Sequence, residues 1–131
     1  GEMARLTGQP ITEIRDFLVP KGQAFAKQHQ ITVVLKDART VTALPDGFGY
    51  INVSGNHGMA TAGAGDVLSG VIGALLAQKL ETDPAAALGV YIHGLAGDAA
   101  AEHVGHCAMM ASDIVEGLID VLRKQEDTKE Q

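Results

Sequence analysis

The sequence predicts an α/β fold, in which helices pack on a mainly parallel β-sheet. Residues 31–36 (ITVVLK) form a largely β-branched apolar run, which is typical of a strand buried on both faces of a parallel sheet. Apolar residues at helical spacing precede this run and dominate the chain after residue 64. A chain of 131 residues with 46% apolar content can bury one core, so we expect one unit over residues 1–131.

Two helices and a hairpin are expected around this strand. Residues 11–18 (ITEIRDFL) have helical spacing with Thr12 as N-cap, and Pro20 ends this helix and opens a second one that reaches about His29. Between residues 40 and 53, the runs TVTAL and YINVS flank PDGFG, whose glycines suit a tight turn. These runs predict a β-hairpin.

Three helices are expected to close the chain. The first runs from about Ala64 to Lys79, where apolar residues recur at three- and four-residue steps and predict a closely packed, buried helix. The next begins with Asp83 as N-cap and the last with Ser112 as N-cap. Residues 124–131 are charged and lack apolar anchors, so we expect this tail to fray.

Charge and cysteine content narrow the class of partner. A net charge of −6 and a pI near 5.2 disfavour nucleic acid or an anionic membrane surface as the main partner, so a small-molecule ligand is favoured. Cys107 is the one cysteine and cannot form an internal disulfide. Since no leader pattern and no apolar run of roughly 20 residues is found, we expect no membrane span and a cytoplasmic location.

The stretch GNHGMATAGAGDVLSG, residues 55–70, carries the clearest chemical signal. Small residues lead to Asp66 at the start of a helix, where the first N–H groups have no intrahelical acceptor and the helix dipole is positive. Phosphate is the natural ligand of such a site, and Asp66 could accept the proton of an attacking hydroxyl. The stretch lacks the Gly-Lys-Ser/Thr of a Walker loop. An acidic first turn and packing glycines also occur for structural reasons alone, and local chemistry leaves both readings open.

A longer match decides between them. The stretch GNHGMATAGAGDVLSGVIGALLAQ resembles the C-terminal motif of the ADP/ATP-dependent NAD(P)H-hydrate dehydratases of the ribokinase-like superfamily. The resemblance includes GEMARLTG, TVVLK, LGVYIHGLAGDAAAE and ASDIVEGL, and so extends from Gly1 to about Leu122. It implies the C-terminal part of a ribokinase-like three-layer α/β/α sandwich. It also implies a lyase that uses ADP or ATP with Mg²⁺ to phosphorylate the ring hydroxyl of NADH or NADPH hydrate, before phosphate leaves and the cofactor is restored.

The resemblance assigns roles to two groups of residues. Asp66 resembles the catalytic aspartate that meets the hydrate, and Gly65 the glycine that contacts the adenine nucleotide, while Gly63, Ala64 and Gly65 would form the anion hole. A second, nucleotide-contacting stretch corresponds to Lys36, Asp37, Ala38, Arg39 and Thr40. The family usually has Lys-Gly-Ala-Gly-Thr there, so Asp37 and Arg39 would be strained at a positive φ. The charge of Arg39 would offset that of Asp37 beside a phosphate.

The family domain is considerably longer than this chain, so we expect a missing N-terminal half or a homo-oligomer to complete the site. Two alternatives stay open: a ribokinase-like small-molecule kinase, and a catalytically silent fragment or binding module. No metal-ligand set is expected, because His103, His106 and Cys107 lack a fourth ligand. Asp98 and Glu102, four residues apart on one helix, are expected to be solvated carboxylates.

Overall fold

A computed structural model describes residues 1–129, with side chains as far as Gln125. It divides into two compact units, Gly1–Asn52 and Val53–Gln131, which are described separately below. One core over residues 1–131 was expected from composition, and among the described residues each unit has a cluster of buried apolar side chains.

The first unit contains three short helices followed by three strands: α1 (Glu2–Thr7), α2 (Ile11–Asp16), α3 (Leu18–His29), β1 (Val33–Leu35), β2 (Val41–Ala43) and β3 (Gly49–Ile51). The two predicted helices are confirmed, but the N-cap of α2 is Pro10 rather than Thr12. Pro20 lies in the first turn of α3, where its missing N–H has no intrahelical partner to lose.

The three strands form one antiparallel sheet in the order β1-β2-β3. The predicted hairpin is confirmed, with Ala43 opposite Gly49. The prediction of a mainly parallel sheet is wrong for these strands, since β1 also pairs antiparallel with β2, Val33 opposite Ala43. Only residues 36–40 connect β1 to β2, whereas a parallel pair needs a crossover of roughly a dozen residues or more.

The core of the first unit lies where the helices meet the sheet. Its buried apolar cluster consists of Met3, Ile14, Leu35 and Val41. Helix α3 lies so close to β1 that a Cβ added at Gly22 would be 2.3 Å from Leu35 Cδ1. Burial on both faces was predicted for β1, but only Leu35 of this strand is buried and the other two residues are half-buried.

The second unit is helical, and its elements are a 3₁₀ turn (His57–Met59), α4 (Ala64–Ala77), α5 (Thr82–Ala108) and α6 (Ala111–Lys129). The three predicted helices are confirmed. Within α5, Gly105 has non-helical backbone angles and marks a kink. In the described part of the chain, no helix has the length and apolarity that a bilayer span requires.

The ends of these helices differ from the sequence predictions. The N-cap of α5 is Glu81 rather than Asp83. Helix α6 begins at Ala111, and it is the carboxylate of Asp113, not the side chain of Ser112, that accepts the Met110 N–H at 2.7 Å. Helix α6 continues through Lys129, and the fraying predicted from residue 124 onward stays a prediction. Residues 130–131 of that predicted tail lie outside the described residues.

The core of the second unit lies between α5 and α6, around the fully buried Ile114. The two helices touch closely, because a Cβ at Gly117 would lie 2.2 Å from the Ala96 carbonyl oxygen. The prediction that α4 is buried is wrong: only Ala64 and Leu68 of this helix are buried. A Cβ at Gly70 or Gly73 would meet no atom within 4 Å, so these glycines face open space instead of a packed neighbour.

Candidate functional site

The glycine loop, residues 61–66, leads the chain into α4. Gly63 is the N-cap of α4 and has a φ of +88°, a left-handed conformation that favours glycine. A Cβ at this position would also lie 3.1 Å from Ala111 Cβ. Asp66 lies in the first turn of α4 and is exposed. Residues 63–66, which the sequence assigned to an anion hole and a base, therefore lie at the N-terminus of α4.

Some amides of the glycine loop are already used by the loop itself. Ala64 donates its N–H to the Thr61 carbonyl at 3.3 Å, and Asp66 donates its N–H to the Gly63 carbonyl at 3.0 Å. Among the described residues, the N–H groups of Gly63 and Gly65 have no acceptor. An anion at this loop would thus find two open amides, those of Gly63 and Gly65, next to Asp66. The Ala64 N–H already makes a long hydrogen bond to Thr61, so an anion would have to share it.

The second predicted stretch, residues 36–40, is a loop between β1 and β2 in the first unit. Lys36, Asp37, Ala38 and Arg39 are exposed, and Thr40 is half-buried. The Asp37 carboxylate accepts the Ala38 N–H at 2.9 Å, and the Thr40 carbonyl accepts the Asn52 N–H at 2.9 Å. Asp37 and Arg39 do not adopt a positive φ, so the strain expected from replacing two glycines is absent from this loop.

The chain before the glycine loop is held against α5. Asp98 accepts two hydrogen bonds, from the Gly55 N–H at 2.9 Å and from Asn56 Nδ2 at 3.0 Å. Ser54 Oγ donates to the Tyr91 carbonyl at 3.0 Å. The expectation that Asp98 is a solvated carboxylate is wrong, because this half-buried side chain joins α5 to residues more than 40 positions earlier in the chain.

Sequence reasoning missed Asp98, although a signal for its role was present. Gly94 and Gly97 lie inside α5, where glycine is less stable than alanine by roughly 0.5–1 kcal/mol. A Cβ at Gly94 would lie 2.1 Å from Ser54 Oγ, and a Cβ at Gly97 would lie 2.2 Å from Met59 Sδ. Glycines inside a helix and close to an aspartate indicate that another segment packs against the helix there. The aspartate can then accept hydrogen bonds from that segment.

The histidines and the cysteine near the end of α5 have separate surroundings. His103 Nε2 lies 2.8 Å from Asp120 Oδ2, and Arg123 donates to Asp120 Oδ1 at 3.0 Å. The hydrogen bond from His103 is the main cause that lowers the pKa of Asp120; the charges of His103 and Arg123 add to it, while burial opposes it. The His106 ring instead stacks on His57, and Cys107 is exposed. In the described part of the chain, no three His, Cys, Asp or Glu residues group in a way that could hold a metal ion.

Residues 1–120 match a family model of carbohydrate-kinase type that is described as NAD(P)H-hydrate dehydratase. The chain belongs to the NAD(P)H-hydrate dehydratase family. It is 50% identical over 130 residues to the bifunctional NAD(P)H-hydrate repair enzyme Nnr of Moorella thermoacetica, covering 99% of this chain and 24% of that protein. It is 41% identical over 114 residues to the ADP-dependent (S)-NAD(P)H-hydrate dehydratase of Neisseria meningitidis, covering 86% and 38%.

Among solved structures, the ADP/ATP-dependent NAD(P)H-hydrate dehydratase of Bacillus subtilis, co-crystallised with ATP and Mg²⁺, has the same fold. The TM-score is 0.89 at 31% identity, over 95% of this chain and 46% of that one. The chain thus spans between about a quarter and a half of the relatives it matches. The structure of this chain therefore corresponds to one part of the fold of its relatives.

Proposed function

We propose that the protein containing this chain is an ADP- or ATP-dependent NAD(P)H-hydrate dehydratase that restores NADH or NADPH from the hydrated cofactor. One observation supports this proposal above the others. In a member of this family, two amides without an acceptor among the described residues lie beside an exposed aspartate at the start of a 14-residue helix. This arrangement suits a phosphoryl group and the hydroxyl that attacks it.

The open amides would hold the phosphoryl group. The N–H groups of Gly63 and Gly65 would donate to phosphoryl oxygens, where the N-terminus of α4 adds roughly half a positive charge. Gly63 presents no side chain, so an oxygen can approach its backbone closely. Amides fixed in advance stabilise the charge of the transferring group without reorganising during the step.

Asp66 would act as the general base. Its side chain is exposed and makes no hydrogen bond to another residue in the described part of the chain, so both carboxylate oxygens are available. As the ring hydroxyl oxygen bonds to phosphorus and the bond to the nucleotide breaks, Asp66 would accept the hydroxyl proton. The phosphate then leaves with the carbon–oxygen bond electrons, and loss of a ring proton restores the double bond.

The loop of residues 36–40 would contact the nucleotide. Lys36 and Arg39 carry positive charge suited to phosphate, whereas Asp37 carries a negative charge that would oppose it. Mg²⁺ fits this chemistry, since it is usually held by substrate phosphate oxygens with only one or two carboxylates, so the nucleotide phosphates would supply much of its coordination. Bound there, Mg²⁺ would neutralise charge on the transferring phosphoryl group.

The partners and the complete architecture are part of the same proposal. We infer that the three strands belong to a larger, mainly parallel sheet in a three-layer α/β/α sandwich, because the chain spans 46% of the Bacillus subtilis enzyme. A further N-terminal half of the protein, or a second copy, would complete the substrate site. A homo-oligomer is supported by apolar residues of α6 that stay exposed, namely Val115, Ile119 and Leu122. A chain with one cysteine suits a reducing compartment such as the cytoplasm.

The test is an assay of the protein that contains this chain with NADH hydrate, Mg²⁺ and either ADP or ATP. We expect the nucleotide to be consumed while NADH absorbance returns and phosphate is released in equal amount. A stable phosphorylated product without NADH would instead indicate a small-molecule kinase. If calorimetry detected no nucleotide binding, the protein would be a silent binding module and the proposal would be wrong.

A further inference from the structure

We propose that Asp98 is a positioning residue that fixes the glycine loop by holding Gly55 and Asn56 against α5. The inference rests on the proposed function only for its effect on turnover, because the hydrogen bonds that carry it are independent of any substrate. Sequence reasoning missed this role of Asp98.

Both oxygens of the Asp98 carboxylate are used by two consecutive residues of the other segment. Oδ2 accepts the Gly55 N–H at 2.9 Å, and Oδ1 accepts from Asn56 Nδ2 at 3.0 Å. Hydrogen bonds to an ionised carboxylate are roughly twice as strong as neutral ones. A carboxylate that accepts hydrogen bonds from a backbone amide and from the adjacent side chain fixes both the position and the direction of the chain at this point.

Asn56 makes two further hydrogen bonds. Its Nδ2 also donates to the Gly97 carbonyl at 2.9 Å, and its Oδ1 accepts the Gly58 N–H at 3.0 Å, which caps the 3₁₀ turn. The amide orientation follows from these partners, because a flipped side chain would place its oxygen against two acceptors. Asn56 thus connects Asp98 to the 3₁₀ turn that begins at His57.

Two glycines let the backbone at this point lie close to α5. Gly55 has a φ of +95°, and a Cβ there would lie 2.9 Å from Met59 Sδ and 3.4 Å from Gly94 Cα. At Gly58, a Cβ would lie 2.7 Å from the His106 carbonyl oxygen. Packing therefore confines the segment from both ends, and the Asp98 hydrogen bonds select one position within that confinement.

The effect reaches the glycine loop because the connection is short. Only residues 60–62 separate Met59 from Gly63, the N-cap of α4. A displacement at Asn56 would therefore shift the amides of Gly63 and Gly65. A misplacement of about 1 Å between reacting groups can cost about 100-fold in rate. Asp98 acts through the loop and is not itself a catalytic residue.

The first experiment compares Asp98→Asn with Glu102→Gln, which changes an exposed carboxylate one turn further along α5. An amide at position 98 can accept one of the two hydrogen bonds but not both, so we expect kcat to fall about 10- to 100-fold. The change in KM for the hydrate should be smaller. Glu102→Gln should keep wild-type kcat. If Asp98→Asn kept kcat within about twofold per folded molecule, the proposal would be overturned.

A double-mutant cycle gives a sharper test. Asn56→Ala removes the amide that donates to Asp98 Oδ1, and Asp98→Ala removes the acceptor. If the two side chains act as one positioning pair, we expect the double variant Asn56→Ala with Asp98→Ala to be about as slow as the slower of the two single variants. A double variant as slow as the product of the two single losses would contradict a positioning pair.

Amide hydrogen exchange separates this inference from the proposed function. In Asp98→Asn, amides of residues 55–65 should exchange faster than in the wild type, whereas amides in α6 should not change. Unchanged exchange at residues 55–65 would overturn the positioning role even if turnover fell. If the wild type lacked dehydratase activity, the proposed function would fail, and the exchange result would still decide the role of Asp98. Should Asp98→Asn not fold, Asn56→Ala removes the side-chain contacts from the loop side and is judged by the same criteria.

Discussion

The glycine loop and the loop of residues 36–40 are both assigned to phosphate chemistry, but they are held in different ways. The chain entering the glycine loop makes hydrogen bonds to α5 across more than 40 residues, and close-packed glycines limit its movement. Residues 36–39 are exposed, and the side-chain hydrogen bond within that loop joins the neighbours Asp37 and Ala38.

This difference leads us to expect different roles for the two loops, one in transition-state stabilisation and the other in nucleotide binding. Groups that stabilise a transition state must be fixed in advance, which suits the amides of Gly63 and Gly65. Groups that only bind a nucleotide can become ordered when it arrives, at a cost of about 0.5–1.5 kcal/mol for each immobilised side chain. We therefore expect changes in the glycine loop to alter turnover, and changes in residues 36–40 to alter affinity.

The largest effect is expected from Asp66→Asn in the protein that contains this chain. The amide keeps the size of the side chain but cannot accept the hydroxyl proton, so turnover should fall about 100- to 10,000-fold while nucleotide binding changes little. The measurement is the rate of NADH recovery, together with the thermal midpoint of the same sample.

A matched control for Asp66 is Asp113→Asn, at the first turn of α6. Asp113 caps its own helix by accepting the Met110 N–H, so its replacement should leave turnover intact. If Asp66→Asn behaved in the same way, with a loss of only roughly 0.3–1 kcal/mol in stability, Asp66 would be a structural first-turn residue.

Arg39→Ala tests the other side of the comparison and should act on affinity. Arg39 is exposed, and loss of a charge-assisted hydrogen bond to phosphate should weaken nucleotide binding by about 1–3 kcal/mol. Titration calorimetry with ADP and ATP measures this change. Lys27→Ala removes an exposed positive charge from α3 in the same unit and should leave the affinity unchanged. Equal affinities in the wild type and Arg39→Ala would show that Arg39 makes no phosphate contact.

Gly63→Ala should lower turnover, because Gly63 belongs to the glycine loop, and it should also cause a modest loss of stability. A residue with a Cβ at a φ of +88° costs about 1–2 kcal/mol, and the new Cβ would lie 3.1 Å from Ala111 Cβ. Urea unfolding measures the loss of stability. Gly70→Ala, inside α4 with no atom within 4 Å of the new Cβ, should instead stabilise the protein by about 0.5–1 kcal/mol. The same sign for both changes would contradict the left-handed assignment of Gly63.

The smallest effect is expected at Asp120, outside both loops. Because the pKa of Asp120 is lowered in the folded state, its carboxylate stabilises that state at pH values above the usual pKa of an aspartate. This contribution is lost as the pH falls through the lowered pKa. Asp120→Asn should therefore be less stable than the wild type near neutral pH, and the difference should disappear toward about pH 2. Urea midpoints across this range measure it, and a difference independent of pH would exclude the ion pair as its cause.

Local patterns in the sequence were sufficient for much of this molecule. The glycine and aspartate turn at residues 45–49 brings its flanking strands together within a few residues, so the β2–β3 hairpin was predictable. The apolar period between residues 64 and 79 likewise gave α4 to within two residues of its end at Ala77. The candidate base Asp66 and the small residues before it also followed from neighbouring positions.

Tertiary structure decided the features that the pattern of neighbouring residues left open or misrepresented. The apolar composition of β1 suggested a parallel sheet, but in the fold β1 pairs antiparallel with β2. The exposure of α4 depends on which neighbours cover it, and the pattern of its residues does not specify them. The sequence by itself determined helices α2 to α6, the hairpin and the glycine loop, because these depend on residues a few positions apart. It did not determine the role of Asp98, because hydrogen bonds to Gly55 and Asn56 exist only once α5 has packed against that segment.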